Sequence, residues 1–161
     1  MFLNQNQILE FLPHRDPFLF IDSVLSVTVK EEISQEKAQT ATELVGCQVV
    51  ANYRTKEDHP IFKGHFPGNP ILPGVVQVEM MAQATSFVLF KLEAFKVGSQ
   101  LDVALVSVNN AKFRKPVLPE MDLEIKSEVL KFRGPMMSSH CQIFHEGTLV
   151  SEADVMATVK F

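Results

Sequence analysis

The chain has 161 residues, a formal charge of −4 with histidines neutral and 46% hydrophobic residues, which predicts one compact domain and makes a second unexpected. A net negative chain has no global field for nucleic acid, so none is expected as a partner, and an anionic partner would need a local basic patch. The two cysteines, Cys47 and Cys141, show neither metal-type spacing nor a disulfide framework, which fits a reducing cytoplasm.

In chain order, Met1 to Glu10 lacks the basic region and apolar core of a secretory or transit segment. Asn4 to Leu12 predicts a short helix stopped by Pro13, followed by the turn-rich Pro13-His14-Arg15-Asp16-Pro17. Phe18 to Lys30 reads as a strand and Lys37 to Tyr53 as a longer one, with Arg54 to Pro60 a charged loop. From Gly64 to Val75, the residues Gly64, Pro67, Gly68, Pro70, Pro73 and Gly74 forbid both a continued helix and a central strand, so His65 sits on a stiff, turning loop. Val75 to Leu92 contains no Pro or Gly and reads as a helix apolar on almost every side, hence buried. Its Glu79 requires either a structural counterpart or a chemical task, because carboxylates are almost never buried alone. Residues 71 to 90 approach membrane-span length, but Pro73, Gly74, Gln77, Glu79 and Gln83 point to burial in protein and no membrane insertion. The helix is expected to end near Lys96 to Ser99, where Gly98 offers a stop.

Leu101 to Arg114 is again β-rich, Pro116 and Pro119 interrupt, and Asp122 to Phe132, Met136 to Phe144 and Thr148 to Phe161 follow as strands separated by Gly134-Pro135 and Glu146-Gly147. One long helix with five or six strands joined by tight turns predicts an α+β fold in which an antiparallel sheet wraps the buried helix. Thirteen Phe against one Tyr and no Trp make the aromatic mass largely non-polar, suited to a core or an acyl-lined cavity.

Several motifs together resemble the hotdog-fold β-hydroxyacyl-acyl-carrier-protein dehydratases of the FabZ type. They are Leu12-Pro13-His14-Arg15 with Pro17-Phe18, Gly64-His65-Phe66-Pro67 with Pro70, Pro73-Gly74-Val75, Glu79 with Ala82-Gln83-Ala84, and more weakly Lys112-Phe113-Arg114-Lys115-Pro116-Val117. The related FabA dehydratase/isomerases have Asp where FabZ enzymes have Glu, so Glu79 favours FabZ. The sequence departs at Asp16, where the family often has an aromatic, in a slightly longer loop from Arg54 to His59, and at Glu120-Met121 in place of a common Gly-Asp. The resemblance implies a hotdog fold and a catalytic His65 of one subunit meeting Glu79 of the other across a two-fold dimer. It also implies frequent assembly as three such dimers.

Removing water from a 3-hydroxyacyl thioester requires a base for the C2 proton, an acid for the departing hydroxyl and stabilisation of charge growing on the thioester oxygen. His65, with an ordinary pKa of about 6.5, is the candidate base. Glu79 is the candidate acid, on the expectation that burial raises its pKa above about 4.3. The Gly74 N–H, at the helix start, is the candidate carbonyl-polarising donor, and Gln83, one turn beyond Glu79, could orient the carboxyl. Phe66, Pro73 and Val75 are the expected substrate-tunnel residues. Phe66, Met80, Met81 and Phe87 read first as core packing, with the dimer interface or the acyl tunnel as the alternatives. His14 and Arg15 read as loop and packing elements, and His59, His140 and His145 as surface or strand residues. No metal or redox cofactor is implied, and neither cysteine sits in a nucleophile motif.

The implied partner is an acyl carrier protein bearing 3-hydroxyacyl chains, and Lys112, Arg114, Lys115, Lys131 and Arg133, at the ends of two predicted strands, are the candidate docking patch. The competing readings are a thioesterase on the same fold, a dehydratase of a specialised acyl or polyketide pathway, and an acyl-binding module without turnover.

Overall fold

Asn4 opens the first helix, α1 (Gln5–Phe11), through a capping box in which its side chain accepts from the Gln7 amide while the Gln7 side chain accepts from the Asn4 N–H. Pro13 stops the helix as expected, and the Arg15 guanidinium donates to the carbonyls of Leu9, Leu12 and His14, occupying oxygens the helix end leaves free. The computed structural model describes residues 1–29, 37–95, 98 and 101–160.

Six strands follow: β1 (Ser23–Thr28), β2 (Gln48–Arg54), β3 (Asp102–Phe113), β4 (Asp122–Arg133), β5 (Met136–His145) and β6 (Thr148–Lys160). They form one antiparallel sheet in the order β1-β2-β4-β5-β6-β3. Between β2 and β3 lie a short helix, α2 (Ile61–Gly64), and the long helix α3 (Gly74–Ser86), which tightens into a 3-10 turn over Phe87–Lys91. Because β2 and β3 lie on different sides of the β4-β5-β6 block, the segment joining them must cross the sheet face, and α3 is what crosses it. The α3 residues Val76, Val78, Met80, Met81 and Ala84 are buried, as are Phe87, Val88 and Leu89 beyond it, so the expected wrapped helix is observed.

Strand alternation supplies the inner face. Leu123, Ile125 and Val129 on β4, Met137 and Ile143 on β5, and Val155 and Val159 on β6 are buried. Small inward residues lie beside the helix: Thr85 Oγ1 donates to Ser139 Oγ at 2.7 Å, and Cys141 Sγ is 3.9 Å from the Met81 carbonyl. Met80, Met81 and Phe87 are fully buried in this core, each contributing about 1.5–3 kcal/mol by burial, and so do not line a tunnel or an interface.

Three element boundaries differ from expectation. The run from Lys37 to Tyr53 is a strand only from Gln48; before it, Ala41–Leu44 forms a 3-10 turn because Glu43 gathers the Gln39 N–H and the Thr40 hydroxyl, and Gly46, at φ +82°, breaks the extended chain. Phe18 to Ile21 is loop: the Gln83 amide bonds the Phe20 N–H and the Phe18 carbonyl, and β2 is met at Asp22, whose N–H donates to the Asn52 carbonyl at 2.9 Å. The α-helix stops at Ser86, whose hydroxyl bonds back to the Gln83 carbonyl at 2.7 Å, well before Gly98. Lys30, Lys96, Ser99 and Phe161, named in those expectations, lie outside the described residues. The hairpin signals hold: Glu146 and Gly147, at φ +48° and +74°, turn β5 into β6. Glu120 stands at φ +62°, the left-handed conformation that a glycine adopts without strain. No helix among the described residues is long and apolar enough to cross a membrane.

Candidate active site

His65 follows α2 and enters a loop tied almost entirely by its own backbone. Phe66 and Asn69 exchange N–H to carbonyl bonds at 2.9 and 2.8 Å around Gly68, and the Ile71 N–H donates to the His65 carbonyl at 2.8 Å. The His65 ring is half-buried, stacks on Phe66 with centroids 3.9 Å apart, and places Nδ1 2.8 Å from the Ile71 carbonyl. A carbonyl can only accept, so Nδ1 carries the proton and Nε2 keeps a free lone pair, the form a base needs.

The same loop delivers the chain to α3. Pro73, the residue before the helix, has no side-chain donor or acceptor to cap it, and Gly74 is the first helical residue. A Cβ at Gly74 would stand 2.7 Å from Cζ of Phe113, so glycine is what lets the β3 ring lie against the helix start. His65, Gly74, Val75, Gln77, Phe113 and Lys115 are among the residues that line an open cleft of about 490 Å³. Of the expected tunnel residues, Val75 lines this cleft and is 77% exposed, Phe66 is half exposed over the His65 ring, and Pro73 lies at the helix start.

Glu79 lies on a different face of α3 and is held by side chains. Gln83 Nε2 donates to its Oε1 at 2.8 Å, and His14 Nε2 lies 3.2 Å from the same oxygen, leaving Oε2 outside that grip. Gln83 is fully engaged, since its Oε1 accepts from the Phe20 N–H at 2.9 Å and its Nε2 also reaches the Phe18 carbonyl at 2.8 Å. The amide therefore both satisfies buried backbone and orients the carboxyl. The surrounding pocket, about 60 Å³, includes Leu12, Ala82, Ser86, Val103 and Leu105 and shares no lining residue with the His65 cleft.

The Glu79 environment overturns the expected direction of its pKa. The hydrogen bond from His14 is the largest influence and lowers it, burial raises it less, and Gln83 lowers it again, so the carboxyl is held below the ordinary value of 4.5. His14 is thus no mere packing element. With Nε2 donating to the carboxylate, its Nδ1 remains as a buried atom without a partner. Arg15 does have the structural role expected of it.

A family model described as the FabA-like domain matches residues 12–154. A 3-hydroxyacyl-acyl-carrier-protein dehydratase FabZ from Ehrlichia chaffeensis is 38% identical over 160 residues, covering 99% of this chain and 97% of that one. The chain belongs to the FabZ family. A second FabZ, from Myxococcus xanthus, is 35% identical over 95% of this chain and 89% of its own. Among solved structures, the dehydratase heterocomplex ApeI:P of Xenorhabdus doucetiae superposes with a TM-score of 0.71 at 16% identity, over 100% of this chain and 93% of that one. A thioesterase superfamily member from Thermus thermophilus does so at 0.57 and 16%, over 72% and 82%. Such low identities speak to fold alone, and the fold is the hotdog fold of the FabZ dehydratases.

Set on that fold, the five expected docking cations do not form one patch. They occupy the C-terminal ends of β3 and β4, and three antiparallel pairings separate those strands, so the two run in opposite directions. Arg114 and Lys115 reach the rim of the His65 cleft, with Lys112 and Arg114 both paired to Glu152. Lys131 and Arg133 lie at the far end of the sheet beside Met136 and Met156.

The other histidines are spoken for. His59 is buried, not on the surface: its Nδ1 accepts from the Ile61 N–H and its Nε2 donates to the Pro17 carbonyl at 2.9 Å. His140 pairs with Asp154 at 2.7 Å and His145 Nδ1 with the Asp122 carbonyl at 2.9 Å. Among the described residues no three His, Cys, Asp or Glu side chains converge in a way that could hold a metal.

Proposed function

We propose that this chain removes water reversibly from (3R)-hydroxyacyl chains carried on acyl carrier protein, giving the trans-2-enoyl thioester in fatty acid biosynthesis. The observation that carries the reading is the match to FabZ dehydratases along nearly the whole chain. The Nδ1–H form of His65, with Nε2 free to take a proton, supports it chemically, and the ionised carboxylate of Glu79 is prepared for the hydration direction of the same reversible reaction.

In this mechanism His65 Nε2 takes the C2 proton. The C–H electron pair becomes the C2–C3 double bond as the C3–O bond breaks, and Glu79 Oε2 gives a proton to the hydroxyl, which leaves as water. The Gly74 N–H, at the positive end of α3, receives the charge growing on the thioester oxygen. His65 ends protonated and Glu79 ionised; exchange with solvent resets both. The lowered pKa of Glu79 favours that ionised state, from which the carboxylate activates water in the reverse direction. Phe66, Pro73 and Val75 would line the path of the thioester.

His65 of one subunit acts with the partner subunit's Glu79 in a two-fold dimer. Two features support this. The two residues lie in cavities without a common wall. The edge strand β3 also exposes Leu105, Val106, Val108 and Phe113, apolar surface that a second copy would cover. Three such dimers would form the hexamer, a cytoplasmic enzyme docking its acidic carrier at Arg114 and Lys115 beside the cleft.

The test incubates the protein with 3-hydroxyacyl and trans-2-enoyl carrier thioesters while following enoyl absorbance and free thiol. Interconversion of the two thioesters is expected. Thiol release without it would make the chain a thioesterase, and neither would make it an acyl-binding module.

A further inference from the structure

Gln77 is an amide on the inward side of α3 that none of the chemistry above uses. It is 3% exposed, and its Oε1 is buried with no hydrogen-bond partner. A helix turned toward a core would be more stable with an apolar residue of the same shape at such a position, since an unpaired buried acceptor is penalised and an apolar replacement is not. The bond Gln77 does make is therefore the informative one. Its Nε2 reaches back across the helix start and donates to the Leu72 carbonyl at 3.3 Å.

Leu72 lies between the two groups this half of the site must hold together. On one side its neighbour Ile71 binds His65 twice, donating its N–H to the His65 carbonyl and accepting from Nδ1 of the ring, each at 2.8 Å. On the other side Pro73 leads directly into Gly74. Leu72 is itself anchored to the segment after β3, its N–H donating to the Val117 carbonyl at 2.7 Å. Leu72 is thus held on both sides: its N–H, in the peptide plane that carries the Ile71 carbonyl, by Val117, and its own carbonyl, in the plane that leads into Pro73, by Gln77. Rotation of this segment would swing the Ile71 carbonyl away from Nδ1, and with it the constraint that keeps the proton there.

We propose that Gln77 is a positioning residue of the dehydratase: by holding the Leu72 carbonyl it fixes the Ile71 acceptor that sets the His65 tautomer, and it keeps His65 and the Gly74 N–H in register. The proposal rests on the reading of His65 as the base. Its structural half, the tautomer, can be measured without any substrate.

The experiment replaces Gln77→Met, which keeps length and helix preference and removes the amide. Nitrogen-15 spectra of the imidazole, assigned with His65→Ala, should show His65 as the Nδ1–H tautomer in the parent protein and as a mixture of tautomers in the variant. Turnover on a trans-2-enoyl thioester should fall about tenfold with KM within about twofold, while Tm stays nearly level because the orphaned Oε1 goes as the Leu72 carbonyl loses its donor. A residue that merely packs would lower Tm and turnover together and leave the tautomer alone. Gln77→Leu, which also removes the donor and brings in no charge, gives a second reading of the tautomer should the Met variant fail to fold. An unchanged His65 tautomer in the folded variant overturns the proposal whatever the turnover does. If the parent protein proves inactive on thioesters while the tautomer shifts as expected, the assigned reaction fails and the positioning contact stands.

Discussion

The two halves of the site are held by different means. His65 is fixed by main chain: a turn around Gly68, two bonds to Ile71 and a loop too rich in Pro and Gly to take another path. Glu79 is fixed by side chains, with His14 arriving from a distant part of the chain and Gln83 from the next turn of the same helix to grip one carboxylate oxygen. A main-chain grip fixes geometry and tautomer and is tuned by substitution indirectly, through a side chain that holds that backbone as Gln77 holds Leu72. A side-chain grip sets the protonation state, and changing one partner moves it.

The comparison is tested most severely by removing each group. His65→Ala and Glu79→Gln should each lower turnover by about two to four orders of magnitude without loss of fold, because each removes a proton-transfer group. If the halves belong to different subunits, mixing the two inactive proteins under conditions of subunit exchange should restore activity, since one hybrid site has both native groups. Demonstrated exchange without recovery would put the whole site in one chain.

Smaller effects separate the two grips. His14→Ala removes the main influence holding the Glu79 pKa down, so that pKa should rise. In a carbon-13 titration of the side-chain carboxyl the Glu79 midpoint should move to higher pH, with turnover at neutral pH reduced about tenfold as the carboxyl loses a partner that orients it. A midpoint that does not move would mean that His14 does not set the carboxyl. Gly74→Ala acts on the other half. Its methyl must push the half-exposed Phe113 ring aside, so turnover should fall several-fold through a misplaced cleft wall, and Tm should change little.

Further out, Arg114→Glu with Lys115→Glu should raise the KM for carrier-bound substrate several-fold and weaken its salt dependence, with little change on a short pantetheine thioester. Lys131→Glu with Arg133→Glu, at the other end of the sheet, should leave both unchanged. Equal effects from the two pairs would mean that the carrier does not approach by the His65 cleft.

The least effect expected is on stability. Because the folded carboxyl of Glu79 is held below its ordinary 4.5, its contribution is present above that pH and disappears as the pH falls through the folded value. The Tm difference between parent and Glu79→Gln should therefore narrow on acidification. Widening would contradict the lowered pKa.

What could be read in advance follows from how local each interaction is. The long helix, the hairpins at Gly134 and Glu146-Gly147, and His65 on a stiff loop are set by residues within a few positions of one another, and these are legible. The reach of Gln83 to Glu79 is one helical turn and equally so. The His14 contact joins residues from distant parts of the chain, and nothing around Pro13 announces it, so the pKa of Glu79 was expected in the wrong direction. A motif match can mark His14 as a family feature but cannot show which atom it meets. The cations misled for a topological reason: both groups do stand at strand ends, but the directions of β3 and β4 are known only once the strand order is. Phe18 to Ile21 has the composition of a strand, but a glutamine side chain bonds its backbone at Phe18 and Phe20 in place of a strand.

The position of β3 also governs how the molecule is made. Among the described residues its one neighbour in the sheet is β6, the last of these six strands to leave the ribosome, while β2 is taken by β4. Through the synthesis of β4 and β5, the nascent β3 has no intramolecular partner, and α3 lacks the wall that β3 and β6 complete. These pairings therefore close late, after the N-terminal strands and the helix already exist, and the apolar residues of β3 stay uncovered in the interval. A chain halted before Thr148 would contain both His65 and Glu79 but would lack the strand that holds Phe113 and Leu105 against them. Catalytic competence should appear abruptly with the synthesis of β6.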